Sequence, residues 1–258
     1  MDEVLYGKDQ GVATITINRP QRRNALTADV VNRLRATMAR ANLDPEIRSI
    51  VVTGEGDAVF CAGGDLAREA ADPAAMAKYE ANKELADFFR EIRGLKKPII
   101  ARVNGHALGV GFAIVLACDL AIAVEDARMG SPELKVGLFP MLTLTHLSQH
   151  VGPKKAFELL VSTRHITAPE AENMGLINAS VPRADLDARV ADLTSQISEH
   201  SPVALRLGRN AFHTARDLAF NETVEYLLSQ LTLNIQTEDA KEGTAAFLQK
   251  RPPVWKGR

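Results

Sequence analysis

Residues 98–124 read PIIARVNGHALGVGFAIVLACDLAIAV. Pro98-Ile99-Ile100-Ala101 is a short apolar run behind a proline and predicts a strand. Gly109 and Gly111 lead into a continuous apolar stretch that predicts a buried helix, closed by Asp119. Leu120 to Val124 predicts the next strand. The apolar stretch from Ala107 to Cys118 is too short to span a bilayer. Strands separated by a buried helix imply an α/β architecture with covered sheets.

The same alternation extends toward the N-terminus. Ala13, Ile15 and Ile17 alternate with Thr14 and Thr16, as in a half-buried strand that Asn18-Arg19-Pro20 ends. Thr27 is placed to cap a helix from Ala28 to about Asn42. Arg48 to Thr53, centred on Ile50-Val51-Val52, predicts a second strand, and Gly54, Gly56, Gly63 and Gly64 punctuate the loop after it. Pro73 opens a helical pattern that runs to about Arg93. Beyond Gly152 the strand signals fade. Helices are predicted over Lys154–Ser162, Ala168–Met174, Leu186–Ser198, Pro202–His213 and Phe220–Ile235, with Pro169 in a first turn. The expected organisation is an α/β core over residues 1–195 and a helical module over 196–258.

Composition narrows the function classes. The chain has 258 residues, 46% hydrophobic and 24% charged, with a formal net charge of −1. That balance calls for neither nucleic acid nor an anionic membrane as partner. Two cysteines, Cys61 and Cys118, make no disulfide framework and no metal-ligand spacing. The opening MDEVLYGKDQ carries acid where a secretory leader carries base, so a cytoplasmic setting is expected. A collagen, a disordered tail and a disulfide mini-protein are excluded on the same numbers.

Three clusters could carry chemistry. In Phe60-Cys61-Ala62-Gly63-Gly64-Asp65-Leu66 the paired glycines let backbone approach a ligand or simply make a tight turn. In Asn104-Gly105-His106-Ala107-Leu108-Gly109-Val110-Gly111 the start of the buried helix offers free N–H groups to developing negative charge, or else only close packing. A dinucleotide fingerprint fails there, because Ile114 stands at the third glycine position. Ser131-Pro132-Glu133 predicts a helix start, with Ser131 as cap and Pro132 at the first helical position. Glu133 then either complements the helix dipole or, in a partly dry pocket, serves as general acid/base. Cys61 as an acyl-transfer nucleophile is a separate possibility, for which the sequence names no base partner.

Taken in order, these segments resemble the enoyl-CoA hydratase/isomerase family of the crotonase superfamily. Ile17-Asn18-Arg19-Pro20 with Asn24-Ala25-Leu26 is similar to the family's first CoA-binding segment. The two glycine-containing clusters are similar to its two oxyanion segments. Cys118-Asp119-Leu120, Ser131-Pro132-Glu133 and Phe247-Leu248-Gln249-Lys250-Arg251-Pro252-Pro253 continue the match to the end of the chain. The resemblance implies a crotonase-like spiral of ββα turns with a C-terminal helical trimerisation module, assembled as a homotrimer or a dimer of trimers. It implies an acyl-CoA substrate whose enolate is held by the backbone N–H groups of Gly64 and Val110, with Glu133 as acid/base. Arg22, Arg23, Ala25, Ala62, Asp65, Leu66 and Gly109 are the implied substrate and CoA contacts. No metal and no cofactor beyond the CoA of the substrate are implied.

The sequence also departs from the family pattern. Hydratases of the family carry two glutamates, and the first falls here at Ala113. A methyl group cannot move a proton, so the departure shifts expectation from water addition toward double-bond isomerisation. Thr143, Thr145 or His146 could supply a second polar group. Val110 replaces a usual glycine, and Ala67-Arg68 replaces a usual CoA-contacting lysine; Lys250, Arg251 and Lys256 could reach a neighbour's CoA. Thioester hydrolysis, decarboxylation and a catalytically weak CoA-ester-binding scaffold stay open.

Overall fold

The computed structural model describes residues 2–65 and 75–258, so the expectations for Leu66, Ala67, Arg68 and Pro73 fall outside the described residues. The strands are β1 (Val4–Asp9), β2 (Val12–Ile17), β3 (Ser49–Gly54), β4 (Val59–Cys61), β5 (Ile99–Val103), β6 (His106–Leu108), β7 (Leu120–Val124), β8 (Arg128–Gly130), β9 (Ile166–Thr167) and β10 (Ala179–Val181). They form two sheets, ordered β1-β2-β3-β5-β7-β10 and β4-β6-β8-β9. From β2 to β10 the larger sheet is parallel. Each of the pairs β3/β4, β5/β6 and β7/β8 gives one strand to each sheet, so the chain climbs as a spiral of two-strand turns.

Helices α1 (Ala28–Leu43), α2 (Ala75–Gly94) and α3 (Val110–Ala117) occupy the crossovers. Thr27 caps α1 by accepting a hydrogen bond from Val30 N–H, as expected. Val30, Val31, Leu34, Met38 and Ala41 form its buried stripe. In β2, Ala13, Ile15 and Ile17 are fully buried, and β3 is buried along its whole length. Every residue of α3 after Val110 is buried, which is why its sequence shows no polar face. A Cβ on Gly111 would collide with Cys61 O, and one on Gly105 with the Ala58 carbonyl, so these glycines let the second turn pack onto β4 and its approach.

The expected helix at Ser131-Pro132-Glu133 is corrected. Glu133–Val136 is one 3-10 turn, Ser131 makes no capping bond, and Gly137, at φ 78°, ends it. A true helix, α4 (Met141–Leu147), starts only after Pro140. It is followed by α5 (Pro153–Ser162), α6 (Ala168–Asn173), α7 (Leu186–Ser198), α8 (Pro202–Ala215), α9 (Phe220–Ile235) and α10 (Glu238–Leu248). Of these, α4 and α10 were not expected. Thr167 and Glu170 make a reciprocal capping box at α6, with Pro169 in its first turn.

The helices after Ser201 are tied to the core through one buried knot. Arg209 on α8 donates to Asp119 at the end of α3 and to carbonyls at the end of α2. By contrast, α9 buries no residue in its own chain. No helix among the described residues is long and apolar enough to cross a membrane.

Candidate functional site

The loop between β2 and α1 is fastened against the loop after β4. Asn24, at φ 54°, accepts from Arg19 N–H (3.0 Å) through Oδ1 and donates to Glu55 O (3.0 Å) and Val59 O (2.7 Å) through Nδ2. The Arg19 guanidinium, almost fully buried, donates to Ala25 O and pairs with Asp65 (3.1 Å) and Glu3 (2.9 Å). Backbone bonds complete the join: Ala62 N–H to Arg23 O (3.1 Å), Leu26 N–H to Gly63 O (2.8 Å) and Asp65 N–H to Leu26 O (2.9 Å). Arg22, Arg23, Ala25, Ala62, Gly64 and Asp65 are thereby brought together. The side chains of Arg22 and Arg23 stand exposed on the rim. The Asp65 carboxylate faces Arg19 and so fastens the two loops.

That bridge leaves one donor unused. In the parallel Leu26–Gly64 pair both hydrogen bonds run to the residues flanking Gly64, so the Gly64 N–H points away from Leu26. Next to it, the backbone of Gly63 approaches the start of α3. A Cβ on Gly63, at φ 100°, would lie 3.1 Å from Leu108 O, 3.6 Å from Val110 N and 3.7 Å from Gly109 Cα. Two backbones can approach this closely only because both residues at the contact are glycines in positive-φ conformations. Val110 is the first residue of α3, so its N–H has no helical carbonyl behind it.

Glu133 closes the site. A Cβ on Gly109 would stand 3.1 Å from Glu133 Oε1, so the carboxylate lies over that glycine, the residue before Val110. Its Oε2 is buried without a hydrogen-bond partner, and burial raises the carboxyl pKa above its ordinary value. The 3-10 turn matters here: it sets Glu133 at the very start of the segment, directly after β8, whose Gly130 O accepts from Gly109 N–H (2.8 Å). A half-buried carboxyl beside free backbone donors can exchange a proton with a carbon acid and leave the resulting anion stabilised.

The other candidates separate. Ala113 is fully buried inside α3, so its methyl group is core. Thr143 is buried and donates to Gly109 O (3.4 Å). Thr145 and His146 instead line a cavity of about 500 Å³ at the opposite end of α3, with Leu116, Asp119 and Phe212. The His146 ring packs 4.8 Å from Phe89, and burial pushes its pKa down to about 4. Cys61 is fully buried, its Sγ accepts from Gly63 N–H (3.5 Å), and burial pushes the thiol up to about 12. A thiol held neutral and shut from solvent is no nucleophile. The contact of Glu133 with Gly109 joins two segments that no local pattern in the sequence connects.

Comparison with known proteins places the chain in a family. Residues 7–258 match the family described as Enoyl-CoA hydratase/isomerase. The 2,3-dehydroadipyl-CoA hydratase of Escherichia coli K12 is 35% identical over 260 residues, covering 100% of both chains. The crystal structure of an enoyl-CoA hydratase from Mycobacterium smegmatis superposes with a TM-score of 0.95 at 33% identity, covering 99% of each chain. That of an enoyl-CoA hydratase from Bacillus anthracis gives 0.95 at 29% identity, covering 100% of each. The two-sheet spiral with its helical C-terminal region is thus the crotonase fold, and the chain belongs to the enoyl-CoA hydratase/isomerase family of enzymes.

Proposed function

We propose that this enzyme shifts the double bond of an enoyl-CoA between the 3 and 2 positions, with Glu133 as its one acid/base. The observation that carries this reading is the Glu133 carboxylate over Gly109, set against the fully buried methyl of Ala113, where a hydratase of the family has the first of its two glutamates. Glu133 takes a proton from C2 of a 3-enoyl thioester. The electron pair moves onto the carbonyl oxygen, which the Gly64 and Val110 N–H groups hold as a dienolate. The same carboxyl then returns the proton to C4, and the double bond is left between C2 and C3. Preorganised donors favour this charge over the neutral thioester, which lowers the barrier.

Water addition is the second reading, favoured by the names of the relatives. The two are separated by incubating the protein with a medium-chain trans-2-enoyl-CoA in D2O and weighing the product. Deuterium uptake without added water is the expected result. A product heavier by a whole D2O would replace isomerisation by hydration, and an unchanged mass with the double bond unmoved would remove both.

In the same reading, Arg22 and Arg23 sit at the mouth to meet CoA phosphates, for which guanidinium forks are suited. Ala25, Ala62, Asp65 and Gly109 line the thioester's path, Leu66 follows in the sequence as a further expected contact, and CoA arrives with the substrate, with no further cofactor or metal required. A cytoplasmic setting fits two cysteines that are buried and unpaired. Residues 1–195 form the catalytic unit and 196–258 the assembly module, the boundary falling within the last turn of α7. Phe220, Val224, Leu227, Leu228, Leu231 and Ile235 all lie exposed on α9. An apolar surface of that extent calls for a covering subunit, in a homotrimer or a dimer of trimers. Light scattering is expected to give three or six chains per particle; a stable monomer would remove this part of the proposal.

A further inference from the structure

The Val110 N–H and the Gly109 carbonyl belong to one peptide unit, so whatever fixes the carbonyl fixes the donor. Gly109 adopts φ 55° and ψ −124°, open to glycine because no Cβ resists it. The same freedom lets the peptide between Gly109 and Val110 rotate at little steric cost, which would turn the N–H out of the site. Two groups oppose that rotation by donating to Gly109 O: Ala113 N–H at 3.1 Å, one turn along α3, and the hydroxyl of Thr143 at 3.4 Å. Thr143 is 1% exposed, and this is its side chain's hydrogen bond among the described residues. It reaches Gly109 because α4 begins immediately after Pro140 and packs along α3.

We infer that Thr143 is a positioning residue for the oxyanion donor: its hydroxyl holds the Gly109–Val110 peptide so that the Val110 N–H stays aimed at the substrate carbonyl. The inference rests on the enolate reading given above. The bond is long, 3.4 Å against a usual 2.7–2.8 Å for O–H···O. As charge builds on the substrate oxygen, it polarises the Val110 N–H and makes Gly109 O a better acceptor. Hydrogen bonds in such a chain strengthen one another, so the Thr143 bond tightens in the transition state more than in the ground state.

The test uses Thr143→Val, which keeps the shape and removes the donor, and Thr143→Ser, which keeps the donor. The probe is acetoacetyl-CoA, whose enolate absorbs in the near ultraviolet, titrated with pH while bound to the full-length protein. Wild type is expected to ionise the bound ligand at lower pH than free ligand. Thr143→Val is expected to reduce the enolate-forming equilibrium and kcat by roughly 3- to 10-fold at unchanged KM, with Thr143→Ser near wild type. A Val variant with the wild-type titration and kcat overturns the inference, as does a loss that Ser does not recover. If wild type itself leaves the ligand's ionisation unmoved, the enolate reading falls, and that outcome is distinct from the other two.

Discussion

Glu133→Gln is expected to lower turnover by roughly 10²–10⁴-fold while CoA-ester binding stays within a few-fold of wild type. Gln has the size and polarity of Glu but neither gives nor takes a proton. The Gly109 contact and the free amides of Gly64 and Val110 survive the exchange, so the site still receives its ligand and only the proton transfer is lost. Stability should move the other way. Burial raises the folded-state pKa of Glu133 above its unfolded value, so its contribution to stability is full below the unfolded value and is lost as pH rises through the folded one. Ionising this carboxyl, with Oε2 buried and unpartnered, is therefore destabilising. Gln removes that charge, and its Tm is expected to exceed wild type at neutral pH, with the gain shrinking in acid. Wild-type kcat is expected to fall as pH drops through a value above the ordinary glutamate range. An unchanged kcat at saturating substrate would end the assignment of Glu133 as the base.

How much of this could be read beforehand follows from the range of each interaction. Alternation in Ala13–Ile17, the unbroken apolar run of α3 and the Thr27 cap are local, and each is plain in the sequence. Strands β4, β6 and β8 have three residues each, too few to show a period of two, and only the family resemblance anticipated them. Ser131-Pro132-Glu133 has the composition of a helix start, but Gly137 and Pro140 downstream allow one 3-10 turn only. The site is least legible, because Glu133 meets Gly109 across 24 positions. Their contact depends on β6 and β8 lying side by side, with Leu108 opposite Gly130. Asp119 was read merely as the residue closing an apolar run, yet its partners lie 90 and 94 positions away.

Replacing one of those partners should have the largest effect on stability of any surface-remote change in the fold. Arg209→Met is expected to cost about 3–5 kcal/mol, seen as a fall in Tm of roughly 10 °C. The Arg209 side chain is 5% exposed. Its Nε donates to Asp119 Oδ2 (2.7 Å), Nη1 to Arg93 O (3.0 Å) and Leu95 O, and Nη2 to Ile92 O (2.9 Å). It thus neutralises a buried carboxylate and donates to carbonyls at and just past the end of α2, where the helical ladder runs out. Met fills the space but supplies no donor, so the Arg93 and Leu95 carbonyls lose this partner inside the protein and Asp119 loses its neutralising charge. Asp119 would keep Ile99 N–H (2.8 Å) and His213 Nε2 (2.7 Å). Burial pushes the Asp119 pKa up, but His213, the Arg209 charge and the Ile99 N–H together outweigh it and hold the carboxyl below its ordinary value. A folded pKa below the unfolded one contributes stability above the unfolded value, lost as pH falls through the folded one. With Arg209 gone that depression shrinks, so the acid-unfolding midpoint of Arg209→Met should lie at higher pH than that of wild type. Equal Tm values and equal acid midpoints would mean that the knot between α8, α2 and α3 does not hold the helical module to the core.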